Sequence, residues 1–212
     1  MIKVNEIYAS IQGESTYTGL PCVFIRLSYC NLRCTYCDSE FAFFAGSDMT
    51  IEEIVDRISP FSIPLVEITG GEPLVQKETI QLIKALADVN YKVLVETSGS
   101  LPINEIDSRA TIIMDIKCPS SGMAEKNMYE NISYLKSDDE VKFVIGTRED
   151  YEWTLAIMNE YSLSSRANIL FSCIFGSIEP VDIVNWMLAD NVRARFQLQV
   201  HKYIWHPEKR GV

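Results

Sequence analysis

The sequence has no run of about 18 consecutive apolar residues, so no membrane-spanning helix is expected. Its first residues, Met1-Ile2-Lys3-Val4-Asn5-Glu6, lack the charged-then-apolar pattern of a secretory signal. Positive charge is also scarce. Lys and Arg number 19 against 29 Asp and Glu, a formal charge of -10, and no Lys/Arg run interrupts the acidic background. Binding nucleic acid needs a clustered cationic face, so that class of partner is excluded. A small anionic substrate needs only one or two well-placed cations and is not. Internal repeats, low-complexity tracts and linker-like segments are missing too. With no signal, the six cysteines read as thiols of a cytoplasmic protein. Disulfides are rare in that compartment, and metal binding or catalysis becomes the first explanation.

What is present is ordinary for a soluble globular chain: 47% hydrophobic and 23% charged residues over 212 positions, enough for one domain across residues 1–212 with a sizeable core. Short apolar, β-branched runs predict strands at Cys22–Ser28, Leu65–Thr69, Lys92–Thr97, Thr111–Ile116, Val141–Ile145, Ala167–Ser172 and Arg195–Val200. Their composition suits strands buried on both faces of a parallel sheet. Thr50-Ile51-Glu52-Glu53 is a capping box that opens a helix to about Ile58. Helical periodicity covers Lys77–Asn90, Glu149–Tyr161 and Val181–Asp190, while Ser98–Ile106 and Pro119–Asn131 read as loops. Repeated strand–helix alternation with too few helices for eight units predicts an α/β fold, an incomplete (β/α) barrel with a mostly parallel sheet. In such folds functional groups gather at the carboxyl ends of strands.

The first long predicted strand runs into Cys30-Asn31-Leu32-Arg33-Cys34-Thr35-Tyr36-Cys37, a C-x3-C-x2-C loop. Three thiolates so spaced can hold one cubane and leave its fourth iron open, as a substrate-chelating cluster requires. The competing metal is zinc, which would want a fourth ligand from Cys22, Cys118, Cys173, His201 or His206 in a closed tetrahedron. No second C-x2-C pair supports it. Cys22 and Cys173 sit in apolar runs and suit the core, whereas Cys118, just after a strand, stays ambiguous. The cysteine spacing, on a loop after the first barrel strand, resembles the radical S-adenosylmethionine (SAM) superfamily. That resemblance implies a [4Fe–4S] cluster on Cys30, Cys34 and Cys37 and an adenine contact from Tyr36. It further implies reductive cleavage of SAM to a 5′-deoxyadenosyl radical that abstracts a substrate hydrogen.

Other predicted strand ends fit the same picture. Gly70-Gly71-Glu72-Pro73 matches the superfamily's GGEP motif, where the glycines admit close backbone approach and Glu72 accepts from the amino group of methionine. Glu96 and Ser98 offer a carboxylate and a hydroxyl to a ribose. Asp115-Ile116-Lys117 and Ser172-Cys173-Ile174-Phe175 end two further strands and extend a SAM pocket.

Three stretches narrow the resemblance: Ile7–Ser15, Arg26–Cys34 with Cys37-Asp38-Ser39, and Gln197–Lys202. With Ile68–Pro73 they resemble the 7-carboxy-7-deazaguanine synthase family. The implied reaction takes 6-carboxy-5,6,7,8-tetrahydropterin to 7-carboxy-7-deazaguanine with loss of ammonia, SAM being regenerated, on the way to queuosine and related 7-deazapurines. Implied substrate residues are Ile11, Gln12, Gly13 and Glu14 for the pterin edge, Arg26 for its carboxylate, Thr69 and His201. Ser39 would supply a hydroxyl to Mg²⁺ where most relatives carry Thr. The resemblance implies a homodimer, and the cluster implies a flavodoxin or ferredoxin as reductant. A glycyl-radical activase, an iron–sulfur electron carrier and a zinc-stabilised module remain the alternatives. The charged tail His206–Val212 reads either as a solvated end or as a cover over substrate.

Overall fold

A computed structural model describes residues 1–212. One nine-stranded sheet has the order β3-β1-β2-β4-β5-β6-β7-β8-β9. Its strands are β1 (Ile2–Ile11), β2 (Pro21–Leu27), β3 (Ser47–Met49), β4 (Leu65–Gly70), β5 (Lys92–Thr97), β6 (Thr111–Ile116), β7 (Glu140–Ile145), β8 (Asn168–Cys173) and β9 (Arg195–Phe196). From β2 onward neighbours run parallel, while β1 pairs antiparallel with both β2 and β3. The two edge strands do not meet, so the fold is an open partial barrel.

Helices α1 (Ile51–Ile58), α2 (Thr79–Asp88), α3 (Arg148–Glu160) and α4 (Pro180–Ala189) cover the outer face. At α1 both halves of the capping box form: Glu53 N–H donates to Thr50 Oγ1 at 3.1 Å, and Thr50 N–H to Glu53 at 2.7 Å. Between β5 and β6 there is no helix, and the β6–β7 connection consists of short 3-10 turns.

Alternation along each strand divides the sheet into two chemistries. Outward residues such as Ile25, Val66, Ile68 and Val95 pack on α1 and α2, and Met114, Phe143 and Phe171 pack on α3 and α4. Inward residues at the strand starts, Cys22, Phe24, Leu65, Leu94 and Ile113, form an apolar floor. Above that floor the inward positions turn polar: Arg26, Glu67, Thr69, Glu96, Asp115, Lys142 and Ser172.

Two strands escape the sequence pattern. In β1 the register shifts between Val4 and Glu6. Such a bulge reverses which face each later residue takes, so Ile2 and Val4 fall out of phase with Ile7. β3 is three residues long and mostly exposed. One strand expectation is corrected: Arg195–Val200 is a strand only at Arg195–Phe196. Gln197 N–H still reaches the Phe171 carbonyl at 2.9 Å, but Val200 N–H donates instead to the Gly13 carbonyl at 3.1 Å. The chain then coils into α5 (His201–Ile204), so His201 opens a short helix instead of ending a strand.

Candidate active site

The cysteine loop leaves β2 through Ser28 and Tyr29, and Tyr29 takes a left-handed backbone with φ 74°. Its carbonyl accepts from Glu72 N–H at 2.8 Å, which ties this loop to the turn after β4. At Gly71 any Cβ would collide with the Tyr29 carbonyl and lie 2.9 Å from Cys30 Cβ, so only glycine lets the two loops press together. Thr35 secures the far side, its N–H donating to Ser121 O at 3.0 Å and its hydroxyl to Ser120 O at 2.7 Å.

Cys30, Cys34 and Cys37 are half-buried free thiols, while Cys22, Cys118 and Cys173 are buried in packed regions. Burial pushes the three loop thiols up, and the Lys117 cation opposes that shift at each of them. A cationic neighbour favours thiolates, the form that ligates iron. No three Cys, His, Asp or Glu side chains crowd tightly enough for a single ion. Zinc would need that crowding, its thiolates lying about 2.3 Å from the metal. Neither His201 nor His206, spaced H-x4-H, joins such a group. Three half-buried thiols on one loop are a donor set that fits a cluster with one iron left open.

Glu72 is fully buried and accepts from Leu74 N–H at 3.0 Å, Thr97 Oγ1 at 2.8 Å, and both Ser98 N–H and Ser98 Oγ at 2.7 Å. Four donors fill a carboxylate's roughly four lone-pair sites. In this structure Glu72 is therefore a brace between the ends of β4 and β5. Gln12 is similarly engaged: its amide donates to Glu67 at 2.8 Å, and its carbonyl accepts from Glu14 N–H at 2.7 Å and Ser15 N–H at 3.0 Å. Its side chain shapes the loop after β1 and has little left for a ligand. Ile11 ends β1 just before that loop.

The centre of the site is a residue that sequence reasoning missed. Lys142, in the middle of β7, is almost wholly buried and pairs with Glu96 of β5, with Glu14 at 3.1 Å and with Asp115 of β6 at 3.5 Å. Asp115 also holds Lys117 at 3.0 Å, and Thr69 donates to Glu96 at 3.3 Å. Burial opposes the charge on Lys142, but the surrounding carboxylates, Glu14 and Glu96 first, keep its pKa well above the ordinary lysine value. Burial likewise works against ionisation of Glu96, and Lys142 outweighs it. Glu67 has no such partner. Burial, reinforced by Glu96, pushes its carboxyl well up. A lysine or glutamate inside an apolar strand was the readable signal, in VKFVI and LVEIT.

The other expected residues divide. Arg26 donates to Glu6 and to Tyr8 Oη, both at 2.8 Å, and only Nη1 lacks a protein partner. The Tyr36 hydroxyl, Ser172 Oγ and Asp115 Oδ1 are buried with no partner. Side chains of Ile116 and Cys173 face the outer core, so only their backbone can serve a pocket. Ile174 packs toward Gly146, and Phe175 meets Tyr203 edge-on at 5.8 Å. His201 lies over the loop after β1, where a Cβ on Gly13 would be 2.6 Å from its Nδ1. Ser39 donates to Asp38 at 3.0 Å, and the exposed Asp38 pairs with Lys202 at 2.8 Å, which helps lower its carboxyl to about 2. A surface cavity of about 680 Å³ lies elsewhere, between β1, β3 and α1, and contains none of these strand-end residues.

A sequence profile of the radical SAM superfamily matches residues 24–170. Along its whole length the chain is 43% identical to the 7-carboxy-7-deazaguanine synthase of Chlorobaculum tepidum, covering 97% of it, and 42% identical to that of Koribacter versatilis, covering all of it. The chain belongs to the 7-carboxy-7-deazaguanine synthase family. It is therefore a radical SAM enzyme, and the [4Fe–4S] cluster and SAM come with that membership. The fold agrees with the crystal structure of QueE from Escherichia coli, with TM-score 0.78, 93% of each chain covered and 20% identity. Archaeal TYW1 is more distant, at TM-score 0.58 and 11% identity over 82% of this chain. Full-length kinship leaves the activase and electron-carrier alternatives without support. No helix is long and apolar enough to cross a membrane.

Proposed function

We propose that this chain converts 6-carboxy-5,6,7,8-tetrahydropterin to 7-carboxy-7-deazaguanine and ammonia, for 7-deazapurine and queuosine synthesis. Substrate contains the same atoms as product plus ammonia, so no net oxidant is consumed and regenerated SAM suffices. One observation carries the reading. Lys142 binds Glu14, in the loop matched to pterin recognition, and also Glu96 and Asp115, on the strand ends matched to SAM. Both ligands would thus meet across one buried cation.

Cys30, Cys34 and Cys37 would hold the cluster, and the Gly71 backbone would flank it. When bound, cluster and SAM supply a one-electron route to a carbon radical. The protein's part is to position and to exclude water. Ser98, Asp115, Lys117, Ser172 and the backbone from Ile116 and Cys173 to Phe175 would line the SAM side, with Tyr36 near adenine. Arg26 Nη1, Thr69, His201 and the Gly13–Glu14 backbone would face the pterin. Mg²⁺ at Ser39 is part of the proposal, next to the anionic Asp38. So are a homodimer, a flavodoxin or ferredoxin reductant, a cytoplasmic site of action, and a single partial-barrel domain over residues 1–212.

The deciding experiment is anaerobic reconstitution with iron and sulfide, then incubation with a reductant, SAM and carboxytetrahydropterin. A deazapurine chromophore and ammonia are expected. Cleavage of SAM without any deazapurine would overturn the substrate assignment.

A further inference from the structure

In a nearly saturated polar interior, one side chain stands out. Gln197 is 7% exposed, yet neither its Nε2 nor its Oε1 has a partner. Its neighbours differ: Gln12 uses both ends of its amide, and Gln199 donates to Glu14 at 3.0 Å. Register explains where Gln197 points. Phe171 pairs with Phe196 across β8 and β9, and both rings pack toward the outer core. The next residues, Ser172 on β8 and Gln197 just past β9, therefore turn to the inner face, with Gln197 N–H still bonded to the Phe171 carbonyl at 2.9 Å. Ser172 Oγ is buried and unpartnered as well, and so is Asp115 Oδ1 on β6.

Burying an amide without partners is costly, and a methionine or leucine of similar volume would fill the space without that cost. We propose that the Gln197 carboxamide, with the Ser172 hydroxyl beside it, is a ligand-reading pair for an adjacent hydrogen-bond donor and acceptor. A carboxamide presents one of each, side by side. Two sources carry the matching chemistry: the vicinal ribose hydroxyls of SAM and the lactam edge of a pterin. The inference rests on the reading that these two ligands share the cavity. Gln197 is tied to both matched regions. Ser172 ends a strand matched to SAM, and Val200, three residues after Gln197, bonds the Gly13 carbonyl of the pterin-matched loop.

The test titrates reconstituted holoenzyme by calorimetry with SAM alone, and with 6-carboxy-5,6,7,8-tetrahydropterin in the presence of SAM. Wild type, Gln197→Met and Ser172→Ala are compared, together with their ligand-free melting temperatures. Gln197→Met is expected to melt at or above wild type while binding one ligand about 10- to 100-fold more weakly and the other within about twofold. Ser172→Ala should weaken the same ligand, and the affected arm identifies the source. Unchanged affinity for both ligands overturns the proposal, since water then serves the amide. A lower melting temperature with equal loss of both ligands also overturns it, as that is a packing role. If Gln197→Met does not fold, Ser172→Ala decides by the same outcomes. Should wild type bind SAM but not the pterin, the proposed function fails, and the pair is judged on the SAM arm alone.

Discussion

Lys142 and Glu67 show how much depends on single buried charges. Removing a buried cation strands its carboxylates, a loss of about 3–5 kcal/mol in comparable cases. Lys142→Met should leave Glu14, Glu96 and Asp115 facing each other uncompensated. Their carboxyls would then resist ionisation, so the variant should melt far below wild type at pH 8 and recover part of the difference near pH 5. A melting deficit that is the same at both pH values would show that the ion network is not its source. Glu67 behaves in the opposite sense. Its carboxyl is raised by burial, so the stability it gives is full below the unfolded-state value and is lost as pH climbs through the folded-state value. Glu67→Gln keeps the acceptor for Gln12 and cannot ionise. It should melt several degrees above wild type at pH 8 and close to it at pH 5, as read by calorimetry. Both residues were visible as polar letters in apolar strands. Their partners were not, because those come from other strands and from the loop after β1.

Elements were read more easily than the turns between them. Four helices and six of the seven expected strands lie within two residues of the stretches that periodicity marks, because each buries an apolar face against the sheet. β1 was hidden by its bulge, and β3 by its exposure and short length. The last expected strand lost its end to Gly13, a partner some 180 positions away. At the turn after β4 the motif was legible, and the packing gives its reason. Gly71 lies against Tyr29 and Cys30, so Gly71→Ala should push the cysteine loop out of place without unfolding the helices and sheet. Far-UV circular dichroism should stay close to wild type while iron and sulfide content after reconstitution falls severalfold. Full cluster loading in that variant would show that the contact does not matter.

At the scale of the molecule, the open edge of the partial barrel is spanned by side chains and one loop instead of strand pairing. Glu14 receives Lys142 on one side and Gln199 on the other, and Gly13 receives Val200. Glu14→Gln weakens the ionic half of that span. Amide hydrogen exchange should rise together in residues 12–20 and 197–204, with β4–β8 little changed. Faster exchange spread evenly over the sheet would point instead to general destabilisation.

The sequence by itself determined the parallel α/β class, the cysteine loop and the GGEP turn, since these rest on local spacing and on periodic burial. Only the tertiary structure decided which polar groups are already satisfied. Glu72 and Gln12, prominent in the motifs, already have protein partners on both polar ends. Lys142 and Gln197, inconspicuous in the chain, carry a triple ion pair and an unpaired amide on the inner side of the sheet. The physical reason is that a hydrogen bond or ion pair is a property of two atoms in space. Residues as far apart as Glu14 and Gln199 become neighbours only when the barrel curls round to bring its first and last segments together.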